Sequence, residues 1–442
     1  MRLAILQGDN RERLREFPDN HFASCVCDPP YELGFMGKKW DRTGIAYDVE
    51  MWREVWRVLK PGAHLLAFGG ARTYHRLACA VEDAGFEIRD QIMWLYGSGF
   101  PKSQDVSKAM DKLCKHRGQD FAVIDHIAGK IDVVHIPTTS LAEYWNGWGT
   151  ALKPAHEPIV VARKPLEGTV VQNVLKWGTG AINCDAGRIL STGEDFTRCQ
   201  YKFSYDRKRG AFSRPWMQDP AAVQKIVETK RLREQKTQTL GRWPANVIHD
   251  GSDEVLAEFE HQSRNANMHW PGNKKEVTRK SSKPFHIYGQ RGEHTYMPLA
   301  VFENKGVPAS AARFFYCAKA SPKERNLGCE GLPELATSTY GEFSGTDNPQ
   351  QTPRGSNNKR RNNHPTVKPL ALMSYLVRLV TPPGGVVLDQ FLGSGSTLIA
   401  AAKEGFDAVG IDQEAAYCEL AAARCRGHLG MLAEIERLGS GF

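Results

Sequence analysis

Apolar residues in the first 165 positions fall in short runs that alternate with stretches of helical spacing. The run Met1-Arg-Leu-Ala-Ile-Leu-Gln-Gly-Asp9 reads as a strand ending at Gly8-Asp9, and Ala23 to Cys27 is a compact strand that stops at Asp28-Pro29-Pro30. Tyr47 to Leu59 carries aromatic and aliphatic residues at helical spacing and is stopped by Pro61-Gly62. His64 to Phe68 is a strand, Thr73 to Ala84 a helix, Glu87 to Leu95 a strand, Pro101 to Gly118 a charged helix and Glu157 to Ala162 another strand. Alternation of period 2 and period 3.6 at these lengths predicts an α/β fold with a doubly wound sheet.

The pattern breaks near residue 165, where Gly, Pro, Arg, Lys, Trp and Tyr replace periodic segments, and residues 340–363 read as a mobile loop. Order returns at His364-Pro-Thr-Val-Lys-Pro369. A helix is predicted over Leu370 to Val380, a buried strand over Val386 to Asp389, a Gly-rich turn over 390–397 and a helix over Leu398 to Glu404. A strand at Ala408 to Ile411, ended by Asp412, and an amphipathic helix from Glu414 to Gly427 complete one βαβ unit.

Composition sharpens this outline only where charge is unevenly placed. The 442 residues carry 58 Lys and Arg against 50 Asp and Glu, a net +8, with a mean hydropathy of −0.46. Residues 196–245 hold twelve Lys and Arg against four acids, an excess equal to that of the whole chain. The segment is interleaved with Tyr201, Phe203, Tyr205, Phe212, Trp216 and Trp243, which pairs phosphate-seeking charge with stacking surfaces. Arg198, Lys202, Arg207, Lys208, Arg209, Arg214, Arg231 and Arg233 are the candidate nucleic-acid contacts. No stretch approaches 18 uninterrupted apolar residues, so no transmembrane helix is expected, and the first residues form too short an apolar run for a signal peptide. The ten cysteines include no Cys-x-x-Cys pair; they read as buried apolar residues in a reducing cytoplasm, not as a zinc site.

Two turns carry the chemistry. Phe391-Leu-Gly393-Ser-Gly395 follows a strand and opens a helix, where glycines let backbone amides approach a ligand. Asp412 ends the next strand 17 residues after Gly395, the position from which a carboxylate reaches ribose hydroxyls. The third glycine of a dinucleotide fingerprint is absent, which points to S-adenosylmethionine, a ligand with a ribose but no pyrophosphate. The second turn, Asp28-Pro29-Pro30-Tyr31, brings together a carboxylate, a proline carbonyl and an aromatic ring. That trio can hold a planar exocyclic amine, with two acceptors for its N–H groups and a ring face for the base.

In combination these turns resemble the S-adenosylmethionine-dependent amino-methyltransferases of DNA, which methylate N6 of adenine or N4 of cytosine. The tetrapeptide precedes the cofactor turn by 363 residues, with the basic segment between them, an order similar to the β class of that family. Gly8-Asp9, Leu59 to Gly62, Phe68 to Gly70, Trp94 to Lys102 and His364 to Pro369 also resemble family segments, the fourth in the form common in phages and prophages. Gln390 departs from the family, which usually has proline there, and its place beside the cofactor turn suggests an influence on cofactor affinity.

The resemblance implies a Rossmann-like methyltransferase sheet, circularly ordered, with catalytic half 1–165, target-recognition insert 166–340 and cofactor half 341–442. It implies catalytic residues Asp28, Pro29, Pro30 and Tyr31. Cofactor contacts are implied at Asp9, Asp28, Lys368, Asp389, Phe391, Gly393, Ser394, Gly395, Ser396, Thr397 and Asp412. It further implies double-stranded DNA as substrate, base flipping, a homodimer, no metal, and the cytoplasm of a bacterial or phage-infected cell. Asp at the first position favours adenine over cytosine. RNA and protein amino-methyltransferases share a Pro-Pro-aromatic turn but place the cofactor turn first. C5-cytosine methylation needs a thiolate, usually in a Pro-Cys dipeptide, and the sequence has none.

Overall fold

A computed structural model describes residues 1–34, 39–97, 103–114, 119–125, 130–188, 243–250, 315–317, 319–336, 359–430 and 434–438, with scattered positions between 221 and 232. The basic candidates Arg198 to Arg233 and the segment 340–358 lie outside the described residues. The chain divides into two compact units, one of Met1–Ser252 with Phe314–Phe442 and one of Asp253–Arg313, and every described residue belongs to the first.

The strands in chain order are β1 Arg2–Gln7, β2 Phe22–Cys27, β3 Leu59–Phe68, β4 Glu87–Leu95, β5 Gln119–Asp125, β6 Lys130–Ile136, β7 His156–Arg163, β8 Val247–His249, β9 Phe315–Tyr316, β10 Leu335–Ala336, β11 Lys359–Arg360, β12 Val386–Asp389, β13 Asp407–Asp412 and β14 Glu434–Leu438. Ten of them form one sheet in the order β14-β1-β13-β12-β2-β3-β7-β4-β8-β9. The strands from β14 to β3 run parallel, and β7 is antiparallel to both neighbours, β3 and β4. β1 and β2, consecutive in the chain, are separated in the sheet by β13 and β12 from the far end of the sequence. This is the circularly ordered α/β sheet expected from the sequence.

Both faces of the sheet are covered, so its strands read as continuous apolar runs. Val26, Leu66 and Phe68 face a core built with helices Leu370–Val380, Ser396–Lys403 and Ala415–Leu429. Cys25, Cys27, Leu65 and Ala67 face the other core, with helices Val49–Val58 and Tyr74–Asp83. The alternation within each strand assigns neighbours to opposite layers.

Three differences from the sequence reading have local causes. β3 begins at Leu59, not His64, because Pro61-Gly62 is absorbed into the strand's edge. Gly62 has φ +77°, and the Pro61 carbonyl accepts from Asn173 Nδ2 at 2.9 Å and Thr179 Oγ1 at 2.5 Å. Those partners belong to a helix at Val170–Trp177 and its exit, which the composition shift at residue 165 obscured. It is marked by a Thr169–Gln172 capping box and a Gly178 cap at φ +77°. The last long helix, expected to be amphipathic, is buried at consecutive positions 420–425. Its outer side is covered by the 321–332 segment, and a Cβ on Gly427 would sit 2.3 Å from Gly328 Cα.

Replacing Gly427 by Ala forces these backbones apart. The expected loss is about 1–3 kcal/mol, read as a lower thermal midpoint with an unchanged far-ultraviolet spectrum; an unchanged midpoint contradicts the close approach.

Candidate active site

Ligands of open α/β sheets bind at the carboxyl ends of parallel strands, beside the point where the strand order reverses. Here β13 and β12 end at Asp412 and Asp389, β1 and β2 are followed directly by Gly8 and Asp28, and all four residues line one cavity of about 1090 Å³. Both candidate turns and the His364–Lys368 segment contribute to its wall.

The Gly-rich turn is held by backbone and buried charge. Gly393 N donates to Asp412 Oδ2 at 2.8 Å, and Glu414 N donates to Asp412 Oδ1 at 2.9 Å. Phe391 N donates to Asp389 Oδ1 at 3.1 Å. Gly395 begins the helix at φ +75° with Ala421 pressed against it, so a Cβ there meets both a disfavoured backbone region and a neighbour at 2.9 Å. Arg424 is fully buried and donates to the Ser394 carbonyl at 2.5 Å and to Ser396 Oγ at 3.2 Å. Burial pushes the Asp389 carboxyl up to about 7 and the Asp412 carboxyl up to about 6, against the amide bonds that favour their charge. Among the described residues neither carboxylate has an ion-pair partner.

The proline turn is fixed from outside. Thr73 Oγ1 donates to the Tyr31 carbonyl at 2.8 Å, and buried Asp41 accepts from Glu32 N and Leu33 N at 2.9 and 3.2 Å. Glu32 holds φ +56°, one of two non-glycine residues with positive φ among those described. Lys368 Nζ donates to Asp28 Oδ2 at 2.6 Å and lies 3.4 Å from Glu157 Oε2. Tyr31 OH donates to the same Glu157 oxygen at 2.9 Å. Asp28 Oδ1 is buried and, among the described residues, has no hydrogen-bond partner. Burial raises the Asp28 carboxyl, Lys368 pulls it down and Glu157 pushes it up, with a net rise. Burial opposes the charge on Lys368, but Asp28 and Glu157 outweigh it and the ammonium is reinforced.

The structure brings together Asp9, Asp28 to Tyr31, Lys368, Asp389, Phe391, Gly393, Ser394, Ser396, Thr397 and Asp412 around the cavity. Three settings are decided by the fold. Lys368, expected among the cofactor contacts, stands at Asp28 and Glu157. The Asp9 carboxylate is occupied by Arg11, whose Nη2 lies 2.6 Å away, and it caps the following helix. The Gln390 side chain points into the core, where its Oε1 accepts from Cys25 Sγ at 3.0 Å and its Nε2 donates to Cys27 Sγ at 3.5 Å. It stitches the turn to β2, and Gln390 remains part of the cavity wall.

Glu157, Thr73 and His364 are the residues that sequence reasoning did not single out. Glu157 sits inside a strand without a motif, and Thr73 carried only a helix-start signal. His364 lay within a quoted segment; its ring packs edge-on to Tyr417 at 4.8 Å and closes on Gly393, where a Cβ would meet His364 Nε2 at 2.6 Å. Burial drops its pKa to about 3, so the ring is neutral. Among the described residues no group of three or more His, Cys, Asp or Glu could hold a metal, and no helix is long and apolar enough to cross a membrane.

With both turns at one cavity, the family comparison is decisive: a model of the N6/N4 type described as DNA methylase matches residues 22–423. The chain belongs to this DNA methylase family. The methylase is 31% identical over 139 residues to the type II methyltransferase M.HindIII of Haemophilus influenzae, covering 30% of this chain and 38% of that protein. It is 39% identical over 64 residues to the type II methyltransferase M.ScaI of Streptomyces caespitosus, covering 14% of this chain and 21% of the relative. The matches thus span well under half the length of these relatives. Among solved structures, the cytosine-N4-specific PvuII DNA methyltransferase aligns over 96% of this chain and 86% of its own, at 11% identity and a TM-score of 0.40. A likeness of that size says nothing about individual site residues.

The raised carboxyl of Asp389 gives a pH signature for the methylase. A folded-state pKa above the unfolded one means that the native state binds the extra proton. Its stabilising contribution is complete below the unfolded value near 4 and is lost as pH rises through about 7. Asp389→Asn keeps the acceptor for Phe391 N and removes the titration. Denaturant melts of the ligand-free protein should therefore lose less stability across this window in the variant than in wild type; equal losses contradict the burial argument.

Proposed function

We propose that this methylase transfers a methyl group from S-adenosylmethionine to N6 of an adenine flipped out of duplex DNA. The observation that carries this reading is Asp28 Oδ1, a buried carboxylate oxygen on the cavity wall with no hydrogen-bond partner among the described residues, while Oδ2 is committed to Lys368. A buried acceptor left open loses about 1–3 kcal/mol relative to a satisfied one, so the site is built to receive a donor.

The cavity also fits the cofactor. Its walls include both strand-end carboxylates, Asp389 and Asp412, neither balanced by a cation, and a ligand with a sulfonium and an ammonium supplies the positive charge they lack. Asp412 retains lone pairs for ribose hydroxyls beyond those used by Gly393 N and Glu414 N. Ser394, Ser396, Thr397 and Phe391 complete the wall around the turn. When bound, S-adenosylmethionine supplies an already activated sulfonium methyl.

The chain's own residues position the acceptor. Asp28 Oδ1 and the Pro29 carbonyl take the two N–H groups of the exocyclic amine, which localises its lone pair. The Tyr31 ring, tied to Glu157 through its hydroxyl, offers the stacking face. Lys368 pulls the Asp28 carboxyl toward its accepting, ionised form, opposing the upward push of burial. Orientation and amine polarisation are then the catalytic contribution, with no protein nucleophile required. Flipping is needed because the amine is out of reach inside a duplex. Duplex binding and site selection are assigned to the insert 166–340, whose basic and aromatic residues suit a polyanion.

Labelled methyl transfer to DNA, followed by nucleoside analysis, should yield N6-methyladenine. N4-methylcytosine would overturn the choice of base, and label only in RNA or protein would overturn the substrate class. Asp28→Ala should lose at least about a hundredfold in rate while S-adenosylmethionine still binds, and an active variant sinks the assignment. Asp412→Ala should weaken calorimetric S-adenosylmethionine binding by about ten- to a hundredfold, the worth of one charge-assisted hydrogen bond.

A homodimer completes the reading, since two copies would present two inserts to a palindromic site. Sedimentation at micromolar concentration is expected to show dimer, and monomer alone refutes it.

A further inference from the structure

We propose that Glu157 is a positioning residue of the methyl-transfer site, anchoring Tyr31 and Lys368 together and setting its own negative charge beside the amine-binding oxygen of Asp28. The inference rests on the methylation reading above for its consequence, and on geometry alone for its existence.

Glu157 lies near the start of β7, two strands away from Asp28 across β3. Its backbone is paired with Trp94 of β4, so the strand fixes its place. One oxygen, Oε2, receives the Tyr31 hydroxyl at 2.9 Å and faces Lys368 Nζ at 3.4 Å. The same ammonium reaches Asp28 Oδ2 at 2.6 Å and rests 4.8 Å from the Phe68 ring centroid and 5.3 Å from that of Tyr31. Lys368 and the Glu157 and Asp28 side chains are only 7%, 20% and 17% exposed, so solvent screens them little.

Two consequences follow from this arrangement. Tyr31 has its only polar atom tethered, which fixes the ring plane against which a base would stack. Glu157 Oε2 accepts from that hydroxyl at 2.9 Å, and the Asp28 carboxylate lies near enough to Tyr31 to act on it as well. The second consequence is charge. Two carboxylates share the Lys368 ammonium at contact distance, with Lys319 a more distant cation acting on Glu157, so Glu157 sets a second negative charge close to the open Oδ1. That charge strengthens Oδ1 as an acceptor from a neutral amine and makes it easier to protonate.

The groups facing Asp28 are Lys368, Glu157 and Tyr31, with Cys27 and Asp389 further off. Those facing Glu157 are Tyr31, Lys368, Tyr96 and Lys319, the last with its Nζ 3.8 Å from the Tyr96 ring centroid. Lys368 lowers the Asp28 carboxyl and Glu157 raises it, so removing the Glu157 charge tips the balance toward Lys368.

The test uses Glu157→Gln in the full chain. Its amide oxygen can still accept from Tyr31 and Lys368 while the charge is gone. Carbon-13 NMR of aspartate-carboxyl-labelled protein, with the Asp28 signal assigned by its absence in Asp28→Asn, reads the protonation of Asp28 without any turnover. The expected result is a titration midpoint lower by about one pH unit, the effect of one nearby like charge. Single-turnover methylation of DNA should show its acid limb moved down by the same amount, with S-adenosylmethionine binding unchanged. Glu157→Ala, which also frees Tyr31, should in addition raise KM for DNA by about tenfold or more, while Glu157→Gln leaves it within about twofold. An unmoved or raised Asp28 midpoint overturns the inference. A lowered midpoint in a protein that methylates no DNA upholds the Glu157 linkage and overturns the methylation reading instead.

Discussion

The pairing of β12 with β2 is the contact on which the site depends. Val387 stands opposite Ser24 and Leu388 opposite Cys25, joining residues more than 360 positions apart in the chain. The register is short, and side chains reinforce it at both ends. Ser24 Oγ and Thr381 Oγ1 are 2.8 Å apart at one end, and the Gln390 amide engages the Cys25 and Cys27 thiols at the other. A slip of one residue would reverse which side chains face each core. It would also move Asp389 and its turn relative to Asp28, whose separation decides whether donor and acceptor can meet.

Around that seam the site concentrates buried acid. Asp28, Asp389, Asp412 and Glu157 line one cavity, with Lys368 bridging the first and last. Burial of carboxylates raises their pKa unless charge or hydrogen bonds compensate, and at Asp389 and Asp412 compensation is incomplete. A cationic ligand relieves this imbalance. The stability lost by burying these carboxylates and the affinity for a sulfonium cofactor thus have one electrostatic origin.

How much of this was legible in the sequence depended on whether the signal was local. The Asp28–Tyr31 turn, the Gly393–Gly395 turn and Asp412 were visible because proline, glycine and strand-ending acids punctuate short apolar runs. β4 was read with its observed ends, and the helix Leu370–Val380 likewise. The helix Val170–Trp177 was missed because a composition shift drew the eye from its capping box, and β8 and β9 are too short for any periodicity. Glu157 had no local mark at all: a single acid in a strand becomes informative only beside Tyr31 and Lys368.

The sequence alone determined the α/β class, the two chemical turns and their order, because these follow from backbone preferences of residues adjacent in the chain. Tertiary structure decided which groups share a charge. It set Lys368 against Asp28, turned Gln390 into the core, enlisted Glu157 and left Asp28 Oδ1 open among the described residues. Those outcomes rest on distances of a few ångströms between residues 120 to 360 positions apart, where the Coulomb term is large and sequence spacing carries no information about it.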